Sequence, residues 1–126
     1  MDPVRSLVRL VLGTSTSPPE ELLARYPELR LPRYRRGGLP PRVGGWALGT
    51  RTVAAITLWR TVFLGPRTHP SAELLLHELR HVQQFEADPA FPIRYLWESV
   101  RRGYARNRYE LDAQAFADAR LRASAP

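Results

Sequence analysis

The stretch Leu74-Leu75-Leu76-His77-Glu78-Leu79-Arg80-His81 decides how this chain is read. It contains H-E-x-x-H, and the chain has only one other histidine, His69. Two histidines four residues apart on an α-helix share a face, about 40° apart around the axis and about 6 Å apart along it. That spacing suits two imidazole nitrogens bound to one Zn²⁺ at about 2.0–2.1 Å each. The intervening glutamate, Glu78, can then take a proton from a water on the metal. Leu75, Leu79 and Val82 form an apolar stripe, widened by Leu74 and Phe85. Glu73, Arg80, Gln83 and Gln84 fall opposite it, with the histidines at the border. This pattern predicts a helix half-buried beneath a cleft.

A catalytic zinc site wants three protein ligands and one open position. The metzincin pattern would put glycine at position 84 and histidine at position 87, where this chain has Gln84 and Ala87. Glu86 and Asp88 miss the spacing. The remaining candidates lie downstream, at Glu98 and Glu110. The periodicity predicts a helix over 93–104 that packs Ile93, Leu96, Trp97, Val100 and Tyr104. On that phase Glu98 is a solvated charge among Arg94, Arg101 and Arg102. A second helix, over 109–121, packs Ala113, Phe116, Ala117 and Leu121, with Glu110 inside the same arc. A carboxylate on a packed face is costly unless it is paired or bound to metal. Small Ala113 and Ala117 let that helix approach a neighbour closely.

The pattern L-L-x-H-E-L-x-H-x-x-Q at Leu74 to Gln84, with N-x-Y-E-x-x-A at Asn107 to Ala113, resembles the gluzincin branch of the zinc metallopeptidases. More narrowly, it is similar to the short bacterial domains of unknown function that carry H-E-L-x-H-x-x-Q and N-P-x-E-x-x-A. With its flanking elements the resemblance covers roughly residues 53–121. It implies a zincin-like fold, His77, His81 and Glu110 as ligands of one zinc ion per chain, and Glu78 as general base. Two positions depart from the pattern. Arg108 replaces the usual proline. Gln114 stands where larger gluzincins of the thermolysin type place an aspartate that orients a zinc histidine, and Asp112 or Asp118 could take that task.

The expected activity is peptide-bond hydrolysis, with Glu78 moving a proton from the attacking water to the leaving amine. His69, Tyr95, Tyr104 and Tyr109 are candidate oxyanion or substrate contacts. A peptide or protein substrate could add as a strand along a sheet edge, with residues 61–64 as the candidate strand. The alternative is a non-catalytic metal-binding or interaction domain on the same scaffold. An intact Glu78 argues against it, because holding a metal does not require that residue.

At 126 residues the chain is expected to form one domain: an N-terminal helical and irregular segment over 1–45 that covers or regulates the cleft, and a catalytic-type core over 46–121. The net charge is +7, and all 19 basic residues are arginine. A basic surface attracts polyanions, which makes nucleic acid a less favoured second partner. The one dense group is Arg33, Arg35 and Arg36 around Tyr34. There are no cysteines, which excludes disulfides and thiolate metal sites. No apolar run approaches the roughly 18 residues that span a bilayer, and Arg5 and Arg9 interrupt the apolar start of the chain. A cytoplasmic location without a membrane partner is expected.

The expected elements begin with a short helix over 4–12 that ends at Gly13. A second runs from a Ser17 cap, with Glu20 and Glu21 in its first turn, to Tyr26. Residues 27–45, rich in Pro, Gly and Arg, read as an irregular exposed connection. Trp46 to Leu64 is the β region: two short strands about a Trp59-Arg60 turn, or one long strand. Pro70 is expected near the first turn of the motif helix. Strands followed by helices give an α+β class, with a short antiparallel or mixed sheet and helices packed on one of its faces.

Overall fold

The structure, a computed structural model, describes residues 2–47 and 53–125. The fold is α+β, and the chain divides into two compact units, one ending at Pro70 and the other beginning at Ser71.

The first unit starts with α1 (Pro3–Leu12), capped by the Asp2 carboxylate on Val4 N at 3.0 Å. Gly13 ends it with φ 68°, where a side chain would be strained. A Cβ there would also lie 2.1 Å from Arg36 O. After β1 (Thr14–Thr16) comes α2 (Glu20–Arg25). Its cap position is Pro19, with no side-chain cap, so Ser17 does not serve as expected.

The stretch read as irregular is ordered. It holds a 3₁₀ turn (Pro27–Arg30), the strand β2 (Arg33–Arg36) and α3 (Leu39–Ala47). Pro40 and Pro41 occupy the first turn of α3, where a missing N–H costs nothing. Gly44 lets α3 approach closely: a Cβ there would sit 3.2 Å from Val53 Cγ2, and that side chain would have to shift. Two of the three arginines of β2, Arg35 and Arg36, are structural, and Arg33 is exposed. Arg35 donates to Leu12 O and Gly13 O at 2.7 and 3.0 Å, closing the end of α1. Arg36 donates to Gly65 O and Thr68 O at 3.1 and 2.6 Å. Buried Tyr34 donates to Leu29 O at 2.7 Å.

The expected hairpin is present as β3 (Ala55–Leu58) and β4 (Thr61–Leu64), turning at Trp59-Arg60, with Trp59 at φ 55°. Its start is later than expected. Trp46 belongs to α3, and residues 48–52 lie outside the described residues. The sheet order is β1-β2-β4-β3, with β2 parallel to β4 and the other pairs antiparallel. Val62, Phe63 and Leu64 are buried, as the interior strand of a mixed sheet requires. Strand 61–64 therefore offers no free edge to a peptide; the edges are β1 and β3.

The second unit is helical: α4 (Ala72–Ala87), α5 (Phe91–Arg102), a 3₁₀ turn (Tyr104–Arg106) and α6 (Arg108–Ala123). Ser71 caps α4 by accepting from Leu74 N at 3.1 Å, which leaves Pro70 just outside the helix. Leu75, Leu76, Leu79 and Val82 of α4 are fully buried, as are Ala113 and Ala117 of α6, whose small side chains let the two helices close on each other. The expected phase of α5 is inverted. Ile93, Leu96, Trp97 and Val100 are exposed, and Glu98 is 5% exposed. Glu98 pairs with Arg102 at 3.5 Å and Arg108 at 3.7 Å, so it is an inward charge rather than a solvated one. Among the described residues, no helix is long and apolar enough to cross a membrane.

Candidate metal centre

α4 and α6 supply the three candidate ligands from the middle of one helix and the start of the other. His77 and His81 project from one face of α4, their rings 4.9 Å apart at 77°. Glu110 sits at the third position of α6, and the cap residue Asn107 fixes that first turn. Asn107 Oδ1 accepts from Tyr109 N at 2.9 Å, and its amide donates to Tyr95 O at 3.1 Å and Ser99 Oγ at 2.9 Å. The positive end of the helix dipole favours a carboxylate there. Glu110 Oε1 lies 2.8 Å from His77 Nε2 and 3.2 Å from His81 Nε2. The ligand atoms of the three residues all fall within 4.8 Å of one another.

The outer nitrogens of both rings are held by glutamines. Gln114 Oε1 is 3.2 Å from His77 Nδ1, and Gln84 Oε1 is 2.7 Å from His81 Nδ1. The amide orientations follow from the next partners. Gln84 Nε2 donates to Tyr109 O and Asp112 Oδ2, and Gln114 Nε2 donates to Glu73 Oε1 and Asp118 Oδ1. Each Oε1 must then accept, so each Nδ1 carries hydrogen and each Nε2 faces Glu110. Gln114, rather than Asp112 or Asp118, is thus the group that holds His77 Nδ1. Asp112 and Asp118 act one step further out, on the glutamines.

The electrostatics agree. Burial lowers both imidazoles, but hydrogen bonding to Glu110 and the charge of Glu78 outweigh it. Both end above the usual imidazole value, His81 at about 9. Burial alone would raise Glu110, yet bonding to His77 and His81 holds it well below the carboxylate range. Two imidazoles and one carboxylate at one point are the donor set of a His₂Glu zinc site, so these residues fit the ion. Glu78 is 5% exposed, and its charge raises His77, His81, Tyr95 and Tyr104, so it lies near the triad.

The remaining candidates separate. Tyr95 donates to Glu110 Oε2 at 2.5 Å, and its ring stands edge-on to His81. Burial, then the Glu110 charge, raises its phenol well above the usual value. Tyr104 is half exposed, and burial followed by the Glu110 charge pushes it up to about 12. Tyr109 packs on Phe91, and its hydroxyl accepts from Arg108 at 2.8 Å. His69 is exposed, at the end of the first unit. A cavity of about 520 Å³ lies in the first unit, lined by Leu23, Tyr34 and Phe63 among others, and contains none of the candidate site residues. The role of Tyr95 was hidden by the wrong phase for α5; on the correct phase it lies inward with Glu98. Comparisons with protein-family models, curated proteins and solved structures find no match for this chain.

Proposed function

We propose that this chain is a zinc-dependent metallopeptidase of the gluzincin type, with His77, His81 and Glu110 holding the ion and Glu78 as general base. The observation that carries this reading is the meeting of two Nε2 atoms and Glu110 Oε1 beside a buried Glu78. Bound there, zinc supplies a Lewis acid for the scissile carbonyl and lowers the pKa of water to about 7. Gln84 and Gln114 hold the rings in the tautomer that presents Nε2. Tyr95 steadies Glu110 through Oε2. Glu78 takes the proton from the attacking water and returns it to the leaving amine. The Tyr104 hydroxyl stays protonated at neutral pH and is half exposed, so it can donate to a developing oxyanion.

The test is hydrolysis of a mixed fluorogenic peptide library by the zinc-loaded chain and by Glu78→Gln. The reading expects equal zinc in both and a loss of about 10²-fold or more in the variant. Zinc in both with hydrolysis in neither would support the non-catalytic metal domain instead.

A further inference from the structure

We propose that the outer face of α5 docks on an anionic phospholipid bilayer, with the helix lying in the plane of the headgroups. Ile93, Leu96, Trp97 and Val100 follow the i, i+3, i+4, i+7 spacing of one helix face and are 74, 65, 63 and 82% exposed. Four large apolar side chains on one exposed helix face exceed the scattered apolar residues of an ordinary surface.

The charge beside this stripe selects the partner. At 100° per residue, Arg94 and Arg101 border the stripe along one edge, and both are exposed; Arg94 is ion-paired with Asp88 at 3.0 Å, so Arg101 is the edge cation that carries the argument. The only carboxylate of α5, Glu98, turns inward and is paired there with Arg102 and Arg108. The outer face is thus apolar, bordered by Arg101 and by the Arg94–Asp88 pair, and α5 itself adds no carboxylate to it. An apolar face with a tryptophan, flanked by arginines, suits the boundary between acyl chains and anionic headgroups. At 12 residues α5 spans about 18 Å, too short to cross a bilayer but sufficient to lie in one surface.

The same pattern recurs in α1. Val4, Leu7 and Val8 are exposed, Arg5 and Arg9 lie among them, the helix contains no acidic residue, and none of its residues is buried. The chain as a whole carries +7. A nucleic acid offers nothing to the apolar stripe, and a second copy would set Arg101 against its own kind. This inference is independent of the metal chemistry.

The experiment is flotation of the full chain with vesicles of phosphatidylcholine containing about a quarter phosphatidylglycerol, against pure phosphatidylcholine, in about 0.1 M salt. Leu96→Ser/Val100→Ser is compared with wild type, and circular dichroism confirms that it is folded. The expected result is flotation with the anionic vesicles, weaker flotation with neutral ones, and a loss of about tenfold or more in the double variant. No flotation of folded wild type with anionic vesicles would overturn the proposal and turn the search to an acidic protein surface. Undiminished flotation of the double variant, or equal flotation with neutral lipid, would overturn it too. So would a wild-type dimer that the double variant abolishes, which would make this face a contact between copies.

Discussion

The Tyr95 hydroxyl donates to Glu110 Oε2 at 2.5 Å and leaves Oε1 turned to both imidazoles. A carboxylate held at one oxygen presents the other in a fixed direction, which lowers the ordering cost of binding an ion. Tyr95→Phe is therefore expected to keep the fold and weaken zinc binding about tenfold, read by competition with a chelator of known affinity. Unchanged affinity would make the tyrosine a packing residue only.

Gln84 and Gln114 are expected to act in the same way on the rings. Gln84→Leu leaves His81 Nδ1 without its acceptor and frees the ring to turn. A loss of about 10- to 100-fold in zinc affinity is expected from each glutamine alone.

Metal-free stability should depend on pH through the same group. His77 and His81 are raised above 6.5, His81 to about 9, so their contribution is complete below about pH 6.5 and is lost as pH rises through the folded values. Glu110 is held below 4.5, so its contribution is present above that pH and is lost as pH falls through its lower folded value. Thermal unfolding in chelator should show the highest Tm between about pH 4.5 and 6.5 and a decline towards pH 9 and beyond. Zinc competes with protons for the two Nε2 atoms, so its apparent affinity should rise over the same interval. A flat Tm profile would contradict the pairing.

The inverted phase of α5 gives a stability test. Val100→Ser, at an exposed position, should change unfolding free energy by no more than about 0.5 kcal/mol. Leu79→Ala, in the packed face of α4, should cost about 2–5 kcal/mol. Comparable losses at the two positions would restore the packed reading of Val100. Asn107→Ala should cost about 1–2 kcal/mol and also weaken zinc, because it loosens the turn that carries Glu110.

The His77–His81–Glu110 cluster was legible where chemistry and periodicity agree. In α4 the leucine stripe and the histidine spacing specify one helix, and Glu110 lies on the face marked by Ala113 and Ala117. In α5 they conflict. Its best apolar arc is Ile93, Leu96, Trp97 and Val100, and a periodicity argument sends that arc to the core. The inward face is Phe91, Tyr95 and Glu98, chosen for aromatic contact, the Glu110 hydrogen bond and ion pairing. β2 was missed because Arg-Tyr-Arg-Arg has little strand character. Arg35 and Arg36 are satisfied by carbonyls that only the folded chain brings near. α3 was missed because prolines and glycines suggest a loop, although here the prolines sit in its first turn and Gly44 faces Val53.

The most direct measurement is the metal content of the purified chain after zinc reconstitution, beside His77→Ala and Glu110→Ala. The three-ligand site predicts about one zinc per wild-type chain, with both variants losing it or binding it far more weakly. No retained zinc in a folded wild type, or full retention in Glu110→Ala, would contradict the site and leave the triad as a buried ion-pair cluster.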